Sequence, residues 1–257
     1  MPQDSRYDSR PTDVYFFATC LVDLFCPEAG MAAIALLERE GITVHFPEDQ
    51  TCCGQPAYTS GYADDARAVA QTQMKLFPNA WPVVVPSGSC AGMMRHHYPK
   101  LFAEDPPLKA KAEALAERIF ELSEFLLKVL KVQWKDYGQP TTVALHTSCS
   151  ARREMGTHEH ARALLAQLPG VHLVTPSHAS ECCGFGGTFS LKHPSISSAM
   201  ASDKVDALKE TGAETFISAD CGCLLNINHT LQKRRDALQG KHLASFLLER
   251  IDGEEKA

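Results

Sequence analysis

Eight of the ten cysteines in this 257-residue chain repeat one pattern. Cys20 is followed by the adjacent pair Cys52-Cys53 and then by Cys90; Cys149 is followed by Cys182-Cys183 and then by Cys223. The steps are 32 and 37 residues in the first copy and 33 and 40 in the second. Each adjacent pair runs into glycine, as Cys52-Cys53-Gly54 and Cys182-Cys183-Gly184. Four thiolates gathered from three separated loops are what a tetrahedral metal ion or an iron–sulfur cluster takes. A disulfide between neighbours in sequence is disfavoured, because the short ring distorts both the peptide and the S–S geometry. Any single cysteine also reads as a small buried apolar residue, but two matched vicinal pairs fit that reading poorly.

Other residues near these thiols invite chemistry. His146, Arg152 and Arg153 surround Cys149, and Arg95, His96 and His97 follow Cys90. Such cations suit a carboxylate substrate or an acidic partner, or simply offset thiolate charge; nothing pairs them into an acid–base constellation. A histidine replacing a cysteine ligand would raise a cluster's potential. Gly184, Gly186 and Gly187 hint at a phosphate cradle, yet Phe189 breaks the GxGxxG pattern and no Gly-Lys-Ser/Thr follows. Cys26 and Cys221 stand outside the repeat. They read as a buried small residue and a neighbour of the centre, with a role as fifth ligands left open.

The elements that must position the thiols alternate between strand and helix. Val14–Phe17, Ile42–Phe46 and Val83–Val85 read as buried strands, each leading into a cysteine loop. Helices are expected at 29–40, with Met31, Ile34 and Leu37 on one side, and at 64–77. A long helical stretch, about 107–132, is expected to close the unit. The second half repeats this order with strands near 143–145, 171–174 and 215–218 and helices at 158–168 and 196–210. The closing helices echo as well: Leu122, Phe125, Leu126, Leu127 and Leu130 match Leu243, Phe246, Leu247, Leu248 and Ile251. The expected fold class is α/β: two duplicated modules, each a small parallel sheet flanked by helices, related by pseudo-twofold symmetry. The expected boundaries are a flexible N-terminus over 1–12, a first module over 13–138 and a second over 139–257. All eight matched cysteines then fall beyond the carboxyl ends of strands, where ligands bind in such sheets.

Composition narrows the partners. The chain is 44% apolar and 22% charged, as in an ordinary globular protein. A net charge of −6 argues against nucleic acid or an anionic membrane surface. No apolar run approaches membrane-spanning length, and the polar start Met1-Pro2-Gln3-Asp4 lacks a signal-peptide core, so a cytoplasmic protein without membrane insertion is expected. In a reducing cytosol, grouped cysteines point to metal rather than disulfides.

Several stretches resemble the cysteine-rich CCG family of iron–sulfur oxidoreductases. They are Thr19-Cys20-Leu21, Gln50-Thr51-Cys52-Cys53-Gly54-Gln55-Pro56, Pro86-Ser87-Gly88-Ser89-Cys90, Cys182-Cys183-Gly184-Phe185-Gly186-Gly187 and Asp220 with Gly222-Cys223-Leu224. That family includes a cysteine-rich component of heterodisulfide reductase and the iron–sulfur subunit of glycolate oxidase. The closer likeness is to the iron–sulfur component of bacterial L-lactate-oxidising complexes, and it covers nearly the whole chain. The resemblance implies an oxidoreductase subunit for electron transfer, with Cys20, Cys52, Cys53 and Cys90 holding one cluster and Cys149, Cys182, Cys183 and Cys223 the other. It implies other iron–sulfur subunits as partners, L-lactate as the substrate of the system, and leaves open whether the isolated chain is active. The wider family pattern ends each module in CxxC, whereas here Met93 and Asn226 occupy the last positions. Four thiolates per module suit an ordinary 4Fe-4S cluster. Zinc in a structural protein suits them too, and a thiol–disulfide reductase is a third reading, which no CxxC motif supports.

Overall fold

The computed structural model describes Arg6, Asp8 and residues 10–253. Most of the N-terminal segment expected to be flexible therefore lies outside the described residues. The chain divides into two compact units, Met1–Val132 and Gln133–Ala257.

The first unit is built on four strands: β1 (Asp13–Phe16), β2 (Thr43–His45), β3 (Val83–Val85) and β4 (Ile119–Glu121). They pair in the order β2-β1-β3-β4, all parallel. Val83, Val84 and Val85 are fully buried, as expected for a central strand covered on both faces. Helices Pro27–Arg39 and Ala63–Met74 make the crossovers; Pro27 takes the first helical position, where its missing N–H costs nothing. The first of these buries Ala29, Ala33, Leu36 and Leu37, while Met31, grouped by its spacing with Ile34 and Leu37, is 65% exposed.

The second unit repeats the plan. Strands β5 (Thr141–Leu145), β6 (Val171–Val174), β7 (Thr215–Ser218) and β8 (Gln239–His242) pair as β6-β5-β7-β8, again all parallel. Its helices include Thr157–Ala166, Pro194–Lys209 and Cys221–Arg234. The α/β fold with duplicated modules is thus present, with one correction. The closing segment of each unit is a strand followed by a helix, and not one long helix. In the first unit, helix Pro106–Ala116 gives way to β4, then to a helical turn at Leu122–Glu124 that widens into a π-helical turn at Phe125–Val129. In the second, β8 precedes helix Leu243–Ile251. The two junctions match: Glu121 caps the first helix by accepting from the Ser123 and Glu124 amides, and His242 caps the second by accepting from Ala244. Among the described residues, no helix is long and apolar enough to cross a membrane.

Candidate metal centre

In each unit three strands deliver the cysteines from their carboxyl ends. Cys20 opens helix Cys20–Phe25 after β1, Cys52 and Cys53 lie in the loop after β2, and Cys90 sits in helix Gly88–Gly92 after β3. In the second unit Cys149 follows β5, Cys182 and Cys183 follow β6, and Cys223 lies in the first turn of helix Cys221–Arg234 after β7.

The structure brings the four thiols of each unit together. Cys53 Sγ lies 3.2 Å from Cys90 Sγ, and Cys183 Sγ lies 2.9 Å from Cys223 Sγ. Hydrogen bonds link Cys52 to both Cys20 and Cys53, and Cys182 to both Cys149 and Cys183. Each central sulfur also accepts a backbone amide across 3.4 Å, from Gly54 to Cys52 and from Gly184 to Cys182. Those glycines hold φ of 86° and 83°, the left-handed region that glycine enters cheaply. The donated hydrogen bonds, first from Cys20 and then from Cys53, draw the Cys52 thiol down to about 3. Those from Cys149 and Cys183 draw Cys182 to about 2. Cys20, Cys53, Cys149 and Cys183 are pushed up, chiefly by the hydrogen bonds they give to those two and by burial. Thiols crowded this closely can all ionise only beside a cation, and such soft donors suit zinc, iron or an iron–sulfur cluster. The donor set therefore fits the expected group. Cys26 and Cys221 are buried as well.

Side chains from neighbouring elements fix the cysteine loops. Gln50 binds the Ala18 amide at 2.7 Å and the Pro47 carbonyl at 2.9 Å, tying the β1 exit to the β2 exit. Gln73, fully buried, holds Thr51 beside Cys52 through two hydrogen bonds. In the second unit Lys204 reaches from its helix to the His178 carbonyl at 2.7 Å and lies within electrostatic reach of Cys182, Cys183 and Cys223. The Ser148 hydroxyl donates to Asp220 across 2.7 Å, linking the β5 and β7 exits. The signal for Gln73 was a lone polar residue in an otherwise apolar helical stripe, and for Lys204 a lysine on the face that carries Ala201, Val205 and Leu208.

The expected cationic groups separate. Arg95 pairs with Glu124 at 2.7 Å and donates to the Ile119 carbonyl. His97 meets the Tyr58 hydroxyl at 3.1 Å. Arg153 acts electrostatically on Cys149, and Arg152 on His146. His146 itself is buried, and burial first, with Lys204 beside it, lowers its imidazole to about 4, so it is neutral near pH 7. Met93 is fully buried, and Asn226 donates to the Cys183 carbonyl.

The family model described as "Cysteine-rich domain" (CCG) matches residues 14–95 and 143–228, one copy per unit. "Lactate utilization protein A" of Shouchella clausii is 44% identical over 237 residues, covering 91% of this chain and 98% of that protein. The Bacillus subtilis protein of the same name is 44% identical over 234 residues, with the same coverage. Among solved structures, a hypothetical protein from Helicobacter pylori superposes with a TM-score of 0.67 at 13% identity; the match covers 97% of this chain and half of that one, and is a likeness of fold.

Proposed function

Because the chain belongs to the lactate utilization protein A family of cysteine-rich CCG-domain proteins, we propose that it is an iron–sulfur electron-transfer subunit of a bacterial complex that oxidises L-lactate. Cys20, Cys52, Cys53 and Cys90 hold one four-iron cluster, and Cys149, Cys182, Cys183 and Cys223 hold the other. A bound cluster supplies one-electron redox chemistry, which a 2-hydroxy acid needs twice for its two-electron oxidation. The chain's own residues hold the thiolates, aim the Gly54 and Gly184 amides at sulfur, and keep Cys53, Cys183 and Cys223 buried from water. Amide hydrogen bonds to sulfur raise a cluster's potential. Other iron–sulfur subunits accept the electrons, and the cytoplasm is where this exchange takes place.

The observation that carries this reading is the convergence of four thiols from three loops, twice, in a chain whose relatives are named for lactate utilisation. The test is iron, acid-labile sulfide and zinc per chain in anaerobically purified protein. Two four-iron clusters require about eight iron and about eight sulfide. Zinc near two per chain with little sulfide would replace electron transfer by a structural role.

A further inference from the structure

His146 is the residue at the second centre that the cysteines do not account for. It lies three positions before Cys149, at the exit of β5, and is 1% exposed. Neither ring nitrogen has a hydrogen-bond partner. A neutral imidazole carries one N–H donor and one lone pair, and burying both unpaired is unfavourable. Packing does not demand this residue. The matching position of the first unit, three before Cys20, is Phe17, which is fully buried and carries no polar atom. The repeat therefore accepts a plain ring here and carries an imidazole in one copy only.

The imidazole has suitable company. Among the described residues, the ligand atoms of His146, Cys183 and Cys223 form the one trio of His, Cys, Asp or Glu atoms lying within 4.8 Å of one another. Cys183 and Cys223 already belong to the thiol group of that unit. An imidazole lone pair is a good ligand for iron and zinc alike.

We propose that His146 is a direct ligand of the metal centre in the second module beside Cys183 and Cys223, taking the place of one of the two outer thiolates, because four cysteines already fill a four-iron cluster or a tetrahedral zinc. The duplicated sites are then chemically unequal, the first held by thiolates alone and the second by thiolates and an imidazole. The inference rests on the reading that the modules hold metal centres, and deepens it. Histidine ligation is one of the means by which proteins raise a cluster's potential, so the second centre is the better electron acceptor of the two.

The test uses the full chain carrying its metal, with Cys53→Ser to remove the first centre, grown with either ordinary or ¹⁵N-labelled histidine. If the second centre holds iron, pulsed EPR of its paramagnetic state is expected to show a directly bound imidazole nitrogen. That coupling changes on ¹⁵N labelling and is lost in His146→Phe, the residue that the first unit uses. If the centre holds zinc, X-ray absorption is expected to show nitrogen at about 2.0–2.1 Å beside sulfur at about 2.3 Å. A filled second centre with sulfur ligation only, or with no more than the weak coupling of a hydrogen-bonded nitrogen, overturns the proposal and leaves the metal-centre reading intact. A second module that binds no metal overturns both. Should His146→Phe not fold, the isotope comparison on the histidine-containing chain decides alone.

Discussion

The Asn226 side-chain amide donates to the Cys183 carbonyl across 2.8 Å, at the position where the wider family places another cysteine. The first unit meets the same need with a different residue: the Tyr98 hydroxyl donates to the Cys53 carbonyl across 2.9 Å. In both, the inner cysteine of the vicinal pair is held by its backbone, and its sulfur is left for the centre. Asn226→Ala and Tyr98→Phe should each destabilise their own unit by about 1 kcal/mol, the usual worth of such a bond. Urea denaturation with metal analysis checks this; metal loss confined to the altered unit is the expected result.

The glycines after the vicinal pairs share a left-handed φ but not their surroundings. A Cβ on Gly184 would meet the Ser197 carbonyl oxygen at 2.6 Å, whereas one on Gly54 finds its nearest neighbour, a Val69 methyl, at 3.4 Å. Gly54→Ala should therefore cost only the backbone penalty, about 1 kcal/mol. Gly184→Ala adds a clash with main chain and should cost about 3 kcal/mol or more. Equal midpoints in urea for the two variants would contradict this.

Cys53→Ser should abolish the absorbance and metal of the first centre and leave the second spectroscopically intact, because each group of thiols lies within one unit. Cys26→Ser should leave both spectra unchanged. Loss of both centres from the first variant would mean that they are not independent, and a shifted spectrum from the second would make Cys26 a fifth ligand.

Lys204 offers a cation where the first unit uses the neutral Gln73. Positive charge near the thiolates favours the reduced, more negative state of a centre. Lys204→Gln should lower the second centre's midpoint potential while the first stays fixed, as read by redox titration. The hydrogen bond to the His178 carbonyl can be kept by glutamine, so the fold should survive.

Acid should weaken the second unit through Asp136. Burial alone would raise this carboxyl, but the Arg250 guanidinium at 2.6 Å and the Gly170 and Gly138 amides outweigh it and hold it below the usual carboxylate range. Its folded value is depressed, so the stability it gives is present above the unfolded value, about pH 4, and is lost as pH falls through the folded one. Asp136→Asn should destabilise the unit by about 3 kcal/mol at pH 7, where it leaves Arg250 buried without its counter-charge, and should flatten the acid limb of a stability–pH curve.

The cysteine spacing alone placed the eight thiols, because ligand types at matched intervals are rare by accident and follow buried strands that are plain in the pattern. The fourth strands were hidden for opposite reasons. Ile119-Phe120-Glu121 is apolar enough but lies between two helical segments, whereas Gln239-Gly240-Lys241-His242 has no apolar alternation at all and is held by pairing with β7. Charged residues misled most. Arg95 read as a site cation or a charge offsetting the thiolates and is committed to Glu124, and His146, which read as a flanking charge or as a stand-in for a cysteine ligand, is a buried neutral ring. The Phe17/His146 and Gln73/Lys204 differences were visible in the repeat all along, and only burial gives them meaning.

The vicinal pairs also set an order of damage. Neighbouring side chains on one stretch of backbone splay apart, and here the split is the same twice: Cys52 and Cys182 are partly exposed while Cys53 and Cys183 are buried. An oxidant or chelator arriving from solvent meets the outer sulfur first, and the inner one stays in place as the foothold for repair. The units are not equally armoured. Three of the four thiols are partly exposed in the first, Cys20, Cys52 and Cys90, against two in the second, Cys149 and Cys182. In air, the first centre is the one that should bleach first.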